Sequence, residues 1–237
     1  MNGAKQTLKG SAMSIRKTSP ILLTGCARSG TSLTAGIVEM SGAFGGVTSG
    51  PNSNNKKGMF ENSDVRNYIV KPYLRLLGVD PMGQNPLPDV TKLLPYKDFR
   101  NDIYRVMQRH GYKRGPWYYK GAKMCLFWPV LHEAFPDAKW VIVRRDDEGI
   151  INSCLKTGFM RAHKTREGWL WWTAQHKHRF QEMKKAGLNI KQVWPAKFIA
   201  GDLSEIKETI AWLGLDFKEK QVKEFISPEL WGPKDGR

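Results

Sequence analysis

A glycine- and hydroxyl-rich stretch near the N-terminus has the residue types and spacing of an anion-binding turn. It runs from Gly25 to Ser32 and reads GCARSGTS. A short apolar run, residues 21–23, precedes the turn, and a helical apolar pattern follows it. A strand, a turn and a helix in this order aim successive backbone N–H groups and the positive end of a helix at one point. The stretch therefore predicts a phosphate-binding loop.

The loop differs from the phosphate-binding loop of nucleotide hydrolases in the position and type of its positively charged residue. Its two glycines fit the first half of a Walker A signature, yet Thr31 stands where that signature has lysine, and the cation is Arg28. The best candidate for a Walker B strand, residues 139–143, ends in two arginines and not in a carboxylate. Magnesium-dependent hydrolysis is therefore disfavoured. The groups expected to hold an anion are Arg28, the hydroxyls of Ser29, Thr31 and Ser32, and the amide of Gly30.

A second candidate anion site follows the strand at residues 139–143. Arg145 comes directly after this strand, and Ser153 lies eight residues later, after two turns of a predicted helix. An arginine and a hydroxyl so placed can bind a second phosphate, with the guanidinium as a bidentate donor.

The elements that position these residues alternate between strand and helix. Strands are predicted at residues 21–23, 117–120, 139–143 and 190–200, the last interrupted by Pro195. Ser204 is predicted to N-cap a helix. The helices are predicted after the loop and at residues 64–77, 99–110, 125–135, 148–156, 165–186, 204–212 and 215–226. This alternation predicts an α/β fold of three layers, with three or four mostly parallel strands flanked by helices. The loop would lie at the carboxyl edge of the sheet, where such folds bind ligands.

Length and composition limit the organisation and the partners. The 237 residues fit a basic tail, residues 1–18, and a single domain, residues 19–237. Lysine and arginine exceed aspartate and glutamate by 38 − 22 = 16, which favours anionic partners, but the basic residues are spread out and do not select nucleic acid. No apolar run approaches the ~20 residues that span a bilayer, and the N-terminus has no secretory pattern. Three widely spaced cysteines indicate neither zinc nor disulfides, so a cytoplasmic location is expected.

Several of these motifs together resemble one enzyme family. Residues 27–33 look like the 5′-phosphosulfate loop of sulfotransferases that use 3′-phosphoadenosine 5′-phosphosulfate (PAPS), and Arg145 and Ser153 match that family's 3′-phosphate motif. Residues 57–61, 119–126, 139–153 and 202–215 are similar to further stretches of the family, most of all its bacterial and Golgi-type branch. Gly121, Ala122 and Lys123 depart from the family pattern. The resemblance covers most of residues 19–231.

The resemblance implies the reaction and the ligands. It implies transfer of a sulfuryl group from PAPS, as cosubstrate, to a hydroxyl or amine of a small-molecule or carbohydrate acceptor by in-line displacement, with no metal. The implied PAPS-binding residues are Arg28, Ser29, Gly30, Thr31, Ser32, Leu33, Arg145 and Ser153. The sequence does not assign the acceptor, but the loops at residues 41–58 and 80–96 are expected to shape its pocket.

The implied catalytic groups are a base and several cations. Glu61 is the first choice for the base that takes the acceptor proton, because family members with a glutamate base carry it near this point; His163 and His132 are the alternatives. Arg28 and either Lys120 or Lys123 would stabilise the charge of the transferring group. Residues 232–237 are basic and loop-like, and the resemblance makes them a further candidate for 3′-phosphate binding, as in some relatives.

Two other functions remain open on the sequence alone. One is a magnesium-dependent nucleotide kinase or NTPase with a degenerate Walker A loop. The other is a non-catalytic protein that binds an acidic polymer through its basic surface, in which case binding would fall steeply with salt and would not depend on Arg28.

Overall fold

The structure, a computed structural model, describes residues 18–53 and 55–231, and its centre is a four-stranded parallel sheet. The sheet has the order β2-β1-β3-β4. Its strands are β1 (Ile21–Gly25), β2 (Tyr118–Lys120), β3 (Lys139–Val143) and β4 (Ile190–Val193). The predicted α/β class and the parallel sheet are therefore confirmed.

The sheet is covered on both faces because its central strands are apolar on both sides. Leu22 contributes to the core on one face, and its neighbours Ile21 and Leu23 contribute to the core on the other. Continuous apolar runs of this kind are typical of buried parallel strands. The alternation of side chains along a strand thus produces two cores, one in each layer of helices.

Nine α-helices surround the sheet within the described residues. The first core packs α3, α5 and α6 against one face, and the second packs α1, α8 and α9 against the other. The helices are α1 (Thr31–Met40), α2 (Lys71–Leu76), α3 (Phe99–Arg109), α4 (Trp128–Ala134), α5 (Asp147–Leu155), α6 (Arg166–Lys185), α7 (Pro195–Ile199), α8 (Ser204–Leu213) and α9 (Glu219–Phe225).

Some elements differ from the sequence-based expectation in kind. The predicted helix at residues 64–77 begins as a π-helix, Val65–Val70, and only then becomes α2. The start of the helix predicted at residues 125–135 is a 3₁₀ helix, Ala122–Phe127. Pro195 does not interrupt a strand but begins α7, where a missing N–H is harmless.

The predicted cap of α8 is also corrected. Ser204 is the first residue of the helix and makes no side-chain cap hydrogen bond; Leu203 holds the cap position. The hydroxyl of Ser204 donates instead to a carboxylate oxygen of Asp202, at 2.5 Å. A short local bond to aspartate has therefore replaced the expected cap.

The two ends of the chain bear on the predicted domain limits. Thr18, the last residue of the predicted tail, is already docked, since its carbonyl accepts hydrogen bonds from Trp117 Nε1 and the Tyr104 hydroxyl, both at 2.9 Å. Residues 1–17 of the predicted tail and the basic residues 232–237 lie outside the described part of the chain.

The topology brings the loop, a lysine and an arginine to one edge. The loop follows β1, Lys120 is the last residue of β2, and Arg145 follows β3. β2 lies on one side of β1, and β3 and β4 lie on the other, so the strand order reverses at β1 and a crevice forms beside it at the carboxyl ends of the strands. Within the described ranges, no helix combines the length and the apolar character needed to cross a membrane.

Candidate active site

The predicted phosphate-binding loop has a backbone that only part of its sequence favours. Gly30 has φ 94°, and a Cβ there would lie 2.7 Å from the ring of Trp231 and 2.9 Å from Pro195. Arg28 also has a positive φ, 71°, which is uncommon for a residue with a side chain and is concentrated at functional sites. No side chain caps the N-terminus of α1, so the amides of its first turn are left for an anion.

Two arginines and a serine connect the loop with the segment after β3. Arg28 Nε donates to Ser153 Oγ at 2.9 Å, and a guanidinium N–H of Arg145 donates to the Arg28 carbonyl at 3.0 Å. Arg145 also donates to the carbonyl of Trp231 at 3.0 Å and lies 4.2 Å from the centre of its ring. Burial lowers the pKa of both guanidiniums, and for Arg145 the nearby Arg28 lowers it further. The two predicted phosphate sites therefore form one cluster.

Glu61 and Lys120 form a buried pair beside this cluster. Each side chain is only 6 % exposed, and 3.9 Å separates Lys120 Nζ from a carboxylate oxygen of Glu61. Lys120 Nζ also lies 3.4 Å from Ser32 Oγ, at the start of α1. Phe60, directly before Glu61, has φ 51°, a strained value for an aromatic residue. The carboxylate of Glu61 and the ammonium of Lys120 therefore lie next to the loop.

Four cations surround the Glu61 carboxylate. Arg66 approaches it at 3.7 Å. Burial by itself raises the pKa of Glu61, but the positive charges outweigh burial and hold this pKa below its ordinary value. In order of effect the cations are Lys123, Lys120, Arg66 and Lys71. Burial lowers the pKa of Lys120, and Glu61 opposes that shift. Glu61 is therefore ionised at neutral pH.

These groups line a cavity of about 610 Å³. One part of its wall is charged and holds the loop, Glu61 and the cations. Another part is largely apolar and is formed by Met82, Gly83, Phe159, Met160 and Trp172. Residues of the predicted acceptor loops also reach the cavity, namely Asn52, Ser53, Asn55, Lys56, Lys57, Gly58, Met82, Gly83 and Gln84. A cavity with both kinds of wall can hold a charged donor and a less polar acceptor.

Most of the sequence-predicted site residues meet in this cavity. Those in its lining are Arg28, Gly30, Thr31, Ser32, Leu33, Glu61, Lys120 and Arg145. Ser29, a residue of the loop, is fully buried, and its hydroxyl has no hydrogen-bond partner among the described residues. Ser153 does not line the cavity but reaches it through its bond to Arg28.

The predicted histidines lie elsewhere. His163 packs edge-on against Trp169 and Trp171, with ring centroids 5.0 and 5.8 Å apart, and it is absent from the cavity lining. His132 packs near Trp128 and is likewise absent from it. Burial lowers the pKa of His163 and favours its neutral form. Neither histidine lines the cavity that holds the loop, so neither is placed to act as the base there.

Arg66, Lys71 and His176 also line the cavity, and the sequence did not predict them there. Arg66 and Lys71 were hidden because a spacing of five residues places two side chains on different faces of an α-helix, and the π-helix that brings them together has no sequence signal. His176 lies on α6. It is 1 % exposed, and burial lowers its pKa to about 4, so it is neutral. Its Nδ1 lies 2.9 Å from the Trp172 carbonyl.

Metal-binding side chains are not clustered in residues 18–53 and 55–231. Nowhere in these ranges do three or more histidine, cysteine, aspartate or glutamate side chains come together as a metal ion would require. The three cysteines are buried and free, and burial raises the pKa of each thiol.

Comparisons with known proteins agree with this geometry. A family model described as a sulfotransferase domain matches residues 120–229. No curated protein matches the chain in a sequence comparison.

Solved structures resemble the chain over most of its length. The sulfotransferase domain of the olefin synthase from Synechococcus PCC 7002 is 16 % identical, with a TM-score of 0.53 over 96 % of this chain and 90 % of that domain. Sulfotransferase STF9 from Mycobacterium avium is 13 % identical, with a TM-score of 0.52 over 92 % of this chain and 69 % of its own. Sulfotransferase STF1 from Mycobacterium tuberculosis H37Rv is 14 % identical, with a TM-score of 0.50 over 88 % of this chain and 70 % of its own. The chain has the sulfotransferase fold, and its residues 120–229 match the sulfotransferase domain family.

Proposed function

We propose that this protein transfers a sulfuryl group from PAPS to an acceptor hydroxyl or amine. The observation that supports this most directly is the convergence, in one cavity, of an anion-binding loop, Arg145 and the Glu61–Lys120 pair. The sulfotransferase fold and the domain match favour this chemistry over nucleotide hydrolysis. The loop has no lysine after Gly30, and arginines follow β3 where a Walker B carboxylate is needed.

The residues present fit a donor with two phosphate ends. Arg145 Nε and Ser29 Oγ are buried without a hydrogen-bond partner among the described residues, and the first turn of α1 has no cap. Phosphate oxygens are acceptors that such donors lack. The loop residues 28–33 would hold the 5′-phosphosulfate. Arg145 and Ser153 would hold the 3′-phosphate.

The reaction needs a base and stabilisation of charge on the transferring group. When bound, PAPS would supply a sulfuryl group activated by its phosphate. Arg28, Lys120 and the first-turn amides of α1 place positive charge where negative charge gathers on equatorial oxygens. Glu61 accepts the proton of the acceptor group, since its carboxylate is ionised and lines the same cavity. The walls of the cavity orient the acceptor for in-line attack.

The direct test is calorimetric titration with 3′-phosphoadenosine 5′-phosphate (PAP) in the absence of metal. We expect the wild-type protein to bind PAP and Arg145→Ala to bind it at least about tenfold more weakly, because a charge-assisted contact is lost. Arg144→Ala is the matched control. Arg144 is the neighbouring arginine, but it stacks on Phe180 and Trp194 and does not line the cavity.

Labelled PAPS and a panel of acceptors then test transfer itself. Incorporation of label into an acceptor supports the proposal. No binding of PAP, together with magnesium-dependent turnover of ATP or GTP, would instead identify a nucleotide kinase or NTPase. The cytoplasmic location remains a prediction from the sequence.

A further inference from the structure

The Glu61 carboxylate, which is the proposed base, is surrounded by more positive than negative charge. Arg66, Lys71, Lys120 and Lys123 carry four positive charges against the single negative charge of Glu61, a local excess of 4 − 1 = 3. All five side chains line the cavity. The donor site proposed above uses Arg28, Arg145 and Lys120, so Arg66, Lys71 and Lys123 are not explained by it.

Two of these lysines interact with Glu61 only at longer range. Neither Lys71 Nζ nor Lys123 Nζ forms a hydrogen bond or an ion pair in the described part of the chain, although both residues are half-buried. Burial lowers the pKa of Lys71, and Lys123 and Arg66 lower it further, because like charges face each other. A half-buried group of mutually repelling cations is stabilised when an anion enters it.

The backbone is distorted in the segment that carries two of these cations. The π-helix Val65–Val70 ends where α2 begins, and the i→i+5 bonding of this segment helps Arg66 and Lys71 to reach the same cavity. π-helical turns are rare and frequently lie at functional sites. The distortion thus brings two cations to the same side of the cavity.

The third cation lies where the charged wall meets the apolar wall. The stem of Lys123 packs against Gly83, where a Cβ would come within 2.9 Å of Lys123 Cγ. The Gly83 carbonyl accepts a hydrogen bond from Trp172 Nε1 at 3.0 Å. Met82, Phe159 and Met160 continue this wall. A molecule that reached Lys123 with an anionic group would lay its apolar part against these side chains.

We propose that the acceptor is an amphipathic acid. Its anionic group binds between Lys71 and Lys123, its apolar body lies against the wall formed by Met82, Phe159, Met160 and Trp172, and its hydroxyl faces Glu61. This inference rests on the proposed sulfuryl transfer, because it names the class of acceptor for that reaction.

The proposal also explains how a carboxylate with a lowered pKa can act as a base. A carboxylate surrounded by cations is ionised but weakly basic. An anion bound to Lys71 and Lys123 cancels part of the positive charge and raises the pKa of Glu61 towards a value suited to proton transfer. The correct acceptor would thereby activate its own base.

The test uses pairs of small probes on the PAP-saturated protein, so that the donor site is already filled. Benzoate is compared with benzyl alcohol, and octanoate with 1-octanol, by calorimetry. At least one acid should bind about tenfold more tightly than its alcohol, because charge-assisted contacts are available only to the acid. Lys71→Met and Lys123→Met should each remove most of this preference, while PAP affinity changes by less than about threefold.

Controls separate charge from packing. Lys184→Met, on the exposed end of α6, should leave the preference intact, and Lys123→Arg should restore it. If neither acid binds more tightly than its alcohol, or if the preference survives in both methionine variants, the acceptor proposal is overturned. Failure of the wild-type protein to bind PAP would count against the proposed function instead, and the same probe pairs titrated onto the free protein would still decide the cationic site.

Discussion

At the scale of single residues, the central question is how one buried carboxylate can act as a base. Glu61 is 5 % exposed, and the charges around it outweigh the effect of burial on its pKa. Its sequence position suggested a base only through the family resemblance. Of the charges that lower its pKa, Lys120 and Lys123 were candidate site cations, but Arg66 and Lys71 were not, because they reach the cavity through a backbone distortion.

Replacing this carboxylate tests the role directly. Glu61→Gln keeps the shape but removes the proton acceptor, so we expect kcat to fall at least about 100-fold with any accepted substrate. The measurement is transfer of label from PAPS. PAP affinity within about threefold of the wild-type value shows that the site is still formed. Undiminished kcat in this variant would rule Glu61 out as the base.

The pH dependence of activity provides a second test at this residue. The pKa of Glu61 is lowered, so its ionised, active form persists as the pH falls below the ordinary glutamate pKa of about 4.3. The acid limb of kcat/KM should therefore lie below that value. Lys123→Met removes the cation that lowers the pKa most, so the limb should move to higher pH. An acid limb that stays in place in this variant would show that Glu61 does not control it.

At the scale of elements, the sequence predicted what depends on local pattern. Apolar runs identified β1 and β3, and helical periodicity identified α3 and α6, with boundaries within about two residues of those observed. The π-helix and the 3₁₀ helix before α4 were not predicted, because their residues carry the same apolar spacing as an α-helix.

The loop between β1 and α1 makes a prediction about backbone geometry. Gly30→Ala puts a side chain at φ 94° and against the Trp231 ring, 2.7 Å away. We expect the free energy of unfolding to fall by about 1–2 kcal/mol from the backbone alone, and more from the contact. PAP affinity should fall as well, because the loop must shift. Urea unfolding and calorimetry measure the two effects.

A matched glycine separates the two causes. Gly214 ends α8 with φ 78°, and a Cβ there would have no neighbour within 4 Å. Gly214→Ala should therefore show the backbone strain alone and leave PAP binding unchanged. Equal PAP affinity in Gly30→Ala and Gly214→Ala would mean that the loop does not hold the donor.

At the scale of the whole molecule, the fold gathers functional groups that the sequence keeps far apart. Arg28 and Lys120 are 120 − 28 = 92 residues apart, and a 3₁₀ helix, α4 and β3 separate Lys120 from Arg145. They meet because parallel strands end at one edge. The order of motifs predicted this convergence. The loop part of the apolar wall, Met82 and Gly83, lies in a stretch that the sequence predicted to shape the acceptor pocket. The contribution of α6 through Trp172 was not predicted, because no local pattern joins the loop to that helix.

If the cavity binds both the 5′-phosphate and the 3′-phosphate of PAP, ligand binding should stabilise the protein in a way that depends on the 3′-phosphate. PAP at 100 times its Kd adds about 2.7 kcal/mol to the free energy of unfolding, which for a domain of this size raises Tm by about 5–10 °C. Adenosine 5′-phosphate at the same concentration lacks the group assigned to Arg145 and should raise Tm much less. In Arg145→Ala the two nucleotides should raise Tm by nearly the same amount, because the contact that distinguishes them is gone.

Scanning calorimetry of the wild type and this variant with each nucleotide measures all four shifts in Tm. Equal shifts in the wild type would show that the 3′-phosphate is not recognised, and a difference that persists in Arg145→Ala would place its recognition on other residues.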